Sequence, residues 1–263
     1  MHPEHCPVIL TYHSISTDDS PLAIPPDGFR QQMEWLGQNT RVVSLAEFAE
    51  HFANGRALPP RSVVLTFDDG YTDFFHEAAP VLRRLSFPAT VFLPTAYCGQ
   101  SSAWPGQPDW VKPRPLMSWA QVKELAAQGV TFGAHSRTHP SLDEISAEKM
   151  EEEIAGSRAD VVAATGQPAV FFCYPYGKWT DRVREITRRH YRAACSTAAG
   201  VVEPDADLFA LPRVDAHYVR ETKWFSRLFT PAFPRYLTTR RWIRRLRGQP
   251  EGAYSRVPAS GKA

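Results

Sequence analysis

Along most of this 263-residue chain, short apolar runs alternate with segments that carry helix signals, and this alternation constrains the fold more than any other feature. The runs at 8–12, 63–67, 89–93, 130–134, 170–174 and 193–196 are four or five residues long, the length of buried strands. Between them the helix punctuation is legible. Asp27 is expected to cap a helix with Phe29, Met33 and Leu36 on one face. Ser44 with Glu47 and Ser118 with Gln121 have capping-box spacing, and Gly129 is placed to stop the second helix. Longer helices are expected over 147–165, ending at Gly166, and over 181–190. At least six β/α alternations in about 215 residues fit one closed or nearly closed barrel better than two domains. No repeat of fixed period runs through the chain.

Composition narrows the class. Hydrophobic residues at 43% and charged residues at 22% exclude a disordered, collagen-like or coiled-coil chain. No stretch approaches the roughly 18 apolar residues of a spanning helix, and the first residues lack the long apolar segment of a signal peptide, so a cytoplasmic location is expected. Cys6, Cys98, Cys173 and Cys195 show no CxxC pairing and read as reduced, mostly buried residues. Of 30 basic and 28 acidic residues, 11 basic and 2 acidic lie after position 218, so residues 1–218 carry −7 and the remainder +9. The expected organisation is therefore a body over 1–218 and a basic, aromatic-rich extension over 219–263.

Three segments carry chemistry. The run 63–70, VVLTFDDG, is a buried strand ending in two adjacent carboxylates, at the strand end where a β/α barrel keeps its active site. Adjacent carboxylates repel, and a cation held by one of them relieves that repulsion. The run 130–139, VTFGAHSRTH, places His135 and His139 four apart after a strand, where two neutral imidazoles can converge on one ion. With one carboxylate they form a facial set that leaves coordination positions open. In 171–177, FFCYPYG, the turn after the strand can present the Tyr176 N–H to a reacting oxygen, or can simply be a favoured strand end. The loop 94–117, rich in Pro and Gly, carries Trp104 and Trp110; it reads either as a surface excursion packed on the body or as a lid whose rings stack on sugar faces.

The order TFDDG, HSxxH, PYG resembles the polysaccharide deacetylase family, also called the NodB-homology or carbohydrate esterase 4 family, over roughly residues 7–215. The resemblance implies a deformed (β/α) barrel and a divalent metal. It assigns Asp68 as catalytic base, and Asp69, His135 and His139 as metal ligands. It also implies metal-assisted hydrolysis of an N-acetyl group on an amino sugar, with the Tyr176 N–H in the oxyanion hole. Zinc suits such a ligand set, and cobalt, nickel or iron also fit.

Two departures from the family pattern matter. Many members have an arginine where this chain has Cys173, so another group must orient Asp68; Arg213, in the strand-like run LPRVD, is the candidate. The usual C-terminal histidine motif is also missing, whereas 8–15, VILTYHSI, resembles the circularly permuted branch that contains the biofilm poly-N-acetylglucosamine deacetylases. His13 is then the general acid, with His217 as a rival. Residues 223–247 contain eight basic residues, six aromatics and no acid. Thr239 is expected to cap a short helix there, suited to an anionic membrane surface at the inner leaflet, or else packed on the barrel. Nucleic acid is not an expected partner, because the body is acidic. Other readings of the same fold are an amidase for a non-sugar amide and a glycan-binding protein without turnover.

Overall fold

The computed structural model describes residues 3–108 and 111–246. Eight parallel strands are present: β1 (Val8–Tyr12), β2 (Arg41–Val43), β3 (Ser62–Phe67), β4 (Thr90–Leu93), β5 (Thr131–Ala134), β6 (Phe171–Cys173), β7 (Ala193–Ala199) and β8 (Leu211–Asp215). Pairing runs β1-β8-β7-β6-β5-β4-β3, and β1 returns to β3 in a register from Val8↔Val63 to Tyr12↔Phe67, which closes a barrel of seven strands. β2 shares one edge of β3 with β4: it pairs with 62–64, and β4 with Thr66 and Phe67. The barrel is uneven, since β5 and β6 meet through one pair, Ala134↔Phe172, and β7 shifts register against β8 between Cys195 and Ala199.

Around it pack α1 (Pro26–Asn39), α2 (Leu45–Ala53), α3 (Ala79–Arg84), α4 (Trp119–Ala127), α5 (Ala147–Thr165), α6 (Asp181–His190), α7 (Thr222–Phe225) and α8 (Ala232–Leu246). A π-helical turn at Phe74–Ala78 leads into α3. α2 starts on the Ser44 side chain, α4 on the reciprocal Ser118–Gln121 box, and α5 stops at Gly166, whose φ of 70° suits a residue without Cβ. The start of α1 differs from expectation. Pro25 and Pro26 open this helix and Asp27 is inside its first turn, because the fixed φ of Pro26 fits the first helical position, where no N–H partner is needed.

Strand alternation sorts the core. On β1, Val8, Leu10 and Tyr12 join Phe29, Met33 and Leu36 of α1 under the helical layer, whereas Ile9 joins Val64, Phe92, Phe171, Cys173, Cys195 and Leu211 in the other main cluster, within the barrel. The inward series continues with polar residues towards the strand ends: Thr11 and then His13 after Ile9, Thr66 and Asp68 after Val64, Arg213 after Leu211.

The beginning of the extension packs onto this body. Phe225, Leu228, Phe229, Phe233 and Leu237 are buried in the same cluster as α1, Phe225 meets Trp35 edge-on at 5.5 Å, and Trp224 stacks on Tyr236 at 3.8 Å. Thr239 does not cap a helix here. It lies inside α8 with its hydroxyl donating to the Arg235 carbonyl at 2.9 Å, because the helix has already begun at Ala232, with Pro234 tolerated in its first turn. Trp242 is 64% exposed. Trp110 and residues 247–263, Arg247 among them, lie outside the described residues. No described helix is long and apolar enough to cross a membrane.

Candidate active site

The centre of the site is a buried ion pair. Arg213 donates from Nη1 to Asp68 Oδ1 at 2.8 Å and from Nη2 to Asp68 Oδ2 at 2.6 Å. The guanidinium also donates from Nε to the Ser196 carbonyl at 2.8 Å and from Nη1 to Thr66 Oγ1 at 3.2 Å, so its donors are largely satisfied away from water. Cys173 stands at the same place: its thiol is 3.5 Å from Asp68 Oδ2, and Arg213 Nη2 is 3.1 Å from its sulfur. Burial pushes the Asp68 carboxyl up, but the Arg213 charge and its hydrogen bonds outweigh burial and hold it well below the usual carboxylate range.

Asp69 turns out of the strand. A regular strand residue would face the side opposite to Asp68. Instead Asp69 has a φ of 69° and Gly70 one of 68°, and a Cβ on Gly70 would come 2.5 Å from Leu93 Cδ2, so this position requires glycine twice over. The turn brings Asp69 Oδ1 to 3.6 Å from His135 Nε2 and 3.5 Å from His139 Nε2. His135 is fixed from behind, with Nδ1 2.7 Å from the Cys173 carbonyl, which leaves Nε2 for the site. Burial pushes both imidazoles down, so they are neutral, as ligands must be.

The donor set fits a divalent ion. Nitrogen and oxygen ligands on bonds of about 2.0–2.1 Å along tetrahedral directions stand about 3.4 Å apart. Asp69, His135 and His139 offer ligand atoms that all lie within 4.8 Å of one another. Asp68, His135 and Cys173 form a second cluster of that size. That cluster is a poor site, because both Asp68 oxygens are engaged by Arg213 and burial keeps the Cys173 thiol protonated.

His13, at the end of β1, is 5% exposed, with Nε2 3.9 Å from Asp68 Oδ2. Burial pushes its imidazole down to about 4, although the Asp68 charge pulls the other way. His217 is in the turn Ala216–Val219 after β8, with its backbone N–H donating to Asp215 Oδ1 and its ring 6.0 Å from the Tyr218 ring. The turn Pro175–Gly177 holds Tyr176 at a φ of 57° with its ring edge-on to His139 at 4.7 Å. Gly177 allows this turn, since a Cβ there would be 1.9 Å from Thr197 Oγ1.

Of the two readings of its loop, Trp104 takes the packed one, although no sequence signal names its partner, His139. The tryptophan is 2% exposed and stacks on His139 at 4.2 Å, so its ring forms the wall of the site, with that face unavailable to a sugar. Its loop is latched by Arg114, which donates to Ser14, to Ser16 at 2.9 Å and to Asp18 at 2.8 Å. A tryptophan beside two glycines and two prolines gives no local signal of such a partner.

The sequence profile of the polysaccharide deacetylase family matches residues 55–193. YxkH of Bacillus subtilis is 27% identical over 208 residues, 78% of this chain and 70% of that protein. The poly-beta-1,6-N-acetyl-D-glucosamine N-deacetylase of Staphylococcus epidermidis is 25% identical over 197 residues, 71% of this chain and 65% of that enzyme. Among solved structures, IcaB from Ammonifex degensii superposes with a TM-score of 0.73 at 26% identity, covering 87% of this chain and 97% of that one. With the profile spanning more than half of its length and the barrel shared with such relatives, the chain belongs to the polysaccharide deacetylase family.

Proposed function

We propose that the chain removes the N-acetyl group of an amino sugar within a glycan, using a divalent ion held by Asp69, His135 and His139. The observation that carries this reading is the convergence of those three ligand atoms beside an Asp68 locked by Arg213 and 3.9 Å from His13. When bound, the ion, zinc in first place, supplies the Lewis acidity that acidifies water and polarises an amide carbonyl.

The remaining chemistry belongs to the chain. Asp68 is ionised at working pH and accepts a proton from the attacking water; its depressed pKa means that it holds that proton weakly. Neutral His13, with Nε2 3.9 Å from Asp68 Oδ2, takes the proton on, and as an imidazolium it protonates the leaving nitrogen while the C–N bond breaks. The Tyr176 N–H, in the turn whose tyrosine ring meets His139, is the donor for the developing oxyanion. The products are acetate and a free amine.

The names of the Staphylococcus epidermidis relative and of an Escherichia coli relative, 30% identical over 132 residues but matched over only 19% of its length, make β-1,6-linked N-acetylglucosamine oligomers the first substrate to try. Acetate release from these and from chitooligosaccharides, by metal-loaded protein, tests the reading, with Asp68→Asn as control. No release from any N-acetyl sugar by protein shown to hold metal would favour an amidase or a glycan-binding protein.

A further inference from the structure

The turn that carries both histidines is held from outside the barrel by one face of α5. Ser136 and His139 have left-handed φ values of 62° and 58°, which non-glycine residues keep only where neighbours impose them. Part of the hold is local: the His139 N–H donates to Ser136 Oγ at 3.0 Å, and the Thr95 and Ala96 N–H groups donate to the Ser136 and Arg137 carbonyls at 3.2 and 2.9 Å. The rest comes from Glu153. Its Oε2 accepts the Arg137 N–H at 2.7 Å and the Thr138 N–H at 2.8 Å, and its Oε1 accepts the Thr138 hydroxyl at 2.6 Å.

The same helical face continues the brace. Gly156, three residues on, gives the Arg137 side chain a path across the helix, since a Cβ there would be 2.7 Å from Arg137 Cδ. Arg137 then reaches Asp160 from Nε at 2.9 Å and from Nη2 at 3.1 Å, and Asp160 Oδ2 also accepts the Thr95 hydroxyl at 2.7 Å. Thr95 opens the segment that leads to Trp104, so one face of α5 ties the turn that carries His139 to the loop whose Trp104 stacks on it.

We propose that Glu153 is a positioning residue for the metal site: by accepting two backbone amides and a hydroxyl of residues 137–138, it keeps His135 and His139 aimed at Asp69. It touches neither ion nor substrate and acts only through the turn. The proposal rests on the metal-site reading above. Charge-assisted acceptance of backbone N–H groups is strong, and partners that orient ligands in this way govern affinity by about tenfold to a hundredfold.

Metal-stripped protein is titrated with Co²⁺, followed by visible absorption, and with Zn²⁺ against a competing chelator. Glu153→Ala is expected to weaken both metals by about tenfold or more and to alter the Co²⁺ spectrum. Glu153→Gln is expected to restore binding, because its amide oxygen can accept the two N–H groups and its NH₂ can donate to the Thr138 hydroxyl. Glu152→Ala, the neighbour whose carboxylate is 3.6 Å from Arg137 Nη1, is expected to bind as wild type. If Glu153→Ala does not fold, Glu153→Asp, which withdraws the carboxylate by one methylene, takes its place with the same expectation. Wild-type affinity and spectrum in Glu153→Ala or Glu153→Asp would overturn the proposal, as would an equal loss in Glu153→Gln, which would point to the carboxylate's field instead of its hold on the turn. Failure of wild-type protein to bind either metal would overturn the metal site itself, a separate result.

Discussion

Arg213 grips both oxygens of Asp68, at 2.8 and 2.6 Å, with each residue only 3% exposed. Removing one member of a buried pair strands the other, at a cost of about 3–5 kcal/mol. Arg213→Ala should therefore lose stability of that order in urea unfolding. Arg213→Lys keeps the charge but not the planar fork, and should recover part of the stability while remaining impaired in turnover, since Asp68 loses its fixed orientation. Wild-type stability in Arg213→Ala would mean that the pair is not formed in solution.

The pH dependence of stability follows in part from His13. Burial lowers its pKa from 6.5 to about 4, so the unfolded chain takes up a proton at a pH where the folded protein does not. The stability linked to this group is complete above pH 6.5 and is lost as pH falls towards 4; a shift of that size is worth about 3 kcal/mol. Unfolding free energies at pH 7.5, 6 and 5 should fall more steeply for wild type than for His13→Gln. The same substitution should lower kcat by about 10²–10⁴ and leave Co²⁺ binding intact. Parallel stability curves for the two proteins would contradict the buried, neutral state of His13.

Metal should stabilise the fold, because Asp69, His135 and His139 are brought together only in the folded chain. At a free Zn²⁺ concentration one hundred times the dissociation constant, linkage gives about 2.7 kcal/mol. Thermal unfolding with Zn²⁺ and then with excess chelator should show that increment in wild type and little of it in Asp69→Ala. An equal chelator effect on both proteins would place the metal elsewhere.

How much of this was legible in the sequence depended on the range of the interaction. β1, α5 and α6 have the bounds expected from apolar runs and caps, because those signals are local. β2 went unseen: it has three residues, of which only Val43 is buried, too short for any period to show. Motif spacing brought out Asp68, Asp69, His135 and His139, whereas nothing within LPRVD says that its arginine faces inward; that reading needed the family resemblance. Trp104 on His139 and the Cys173 thiol on Asp68 join residues far apart in the chain, whose partners are set by how the strands assemble. Glu153, only 15 or 16 residues from the amides it holds, stands in a run of three glutamates that gives no sign of which one turns to them.

The end of α8 gives the last prediction. Most aromatics of the extension are used in packing on the body, but Trp242 and Ile243 are 64% and 39% exposed, the exposed large apolar residues among those described. In sequence they stand between Arg240, Arg241, Arg244 and Arg245, with no acid in 223–247. An apolar pair framed by arginines suits the interface of an anionic bilayer, where each basic residue contributes about 1 kcal/mol and an aromatic ring enters the headgroup boundary. We propose that the intact protein docks there, at the inner membrane surface. In flotation with vesicles containing phosphatidylglycerol, it should rise with the lipid at low salt and much less at 0.5 M salt, where the Debye length falls to about 4 Å. Arg241→Glu with Arg244→Glu should abolish flotation, and Trp242→Ala should weaken it. Protein that stays at the bottom of the gradient at low salt would end the proposal, and equal flotation on neutral vesicles would remove its electrostatic basis.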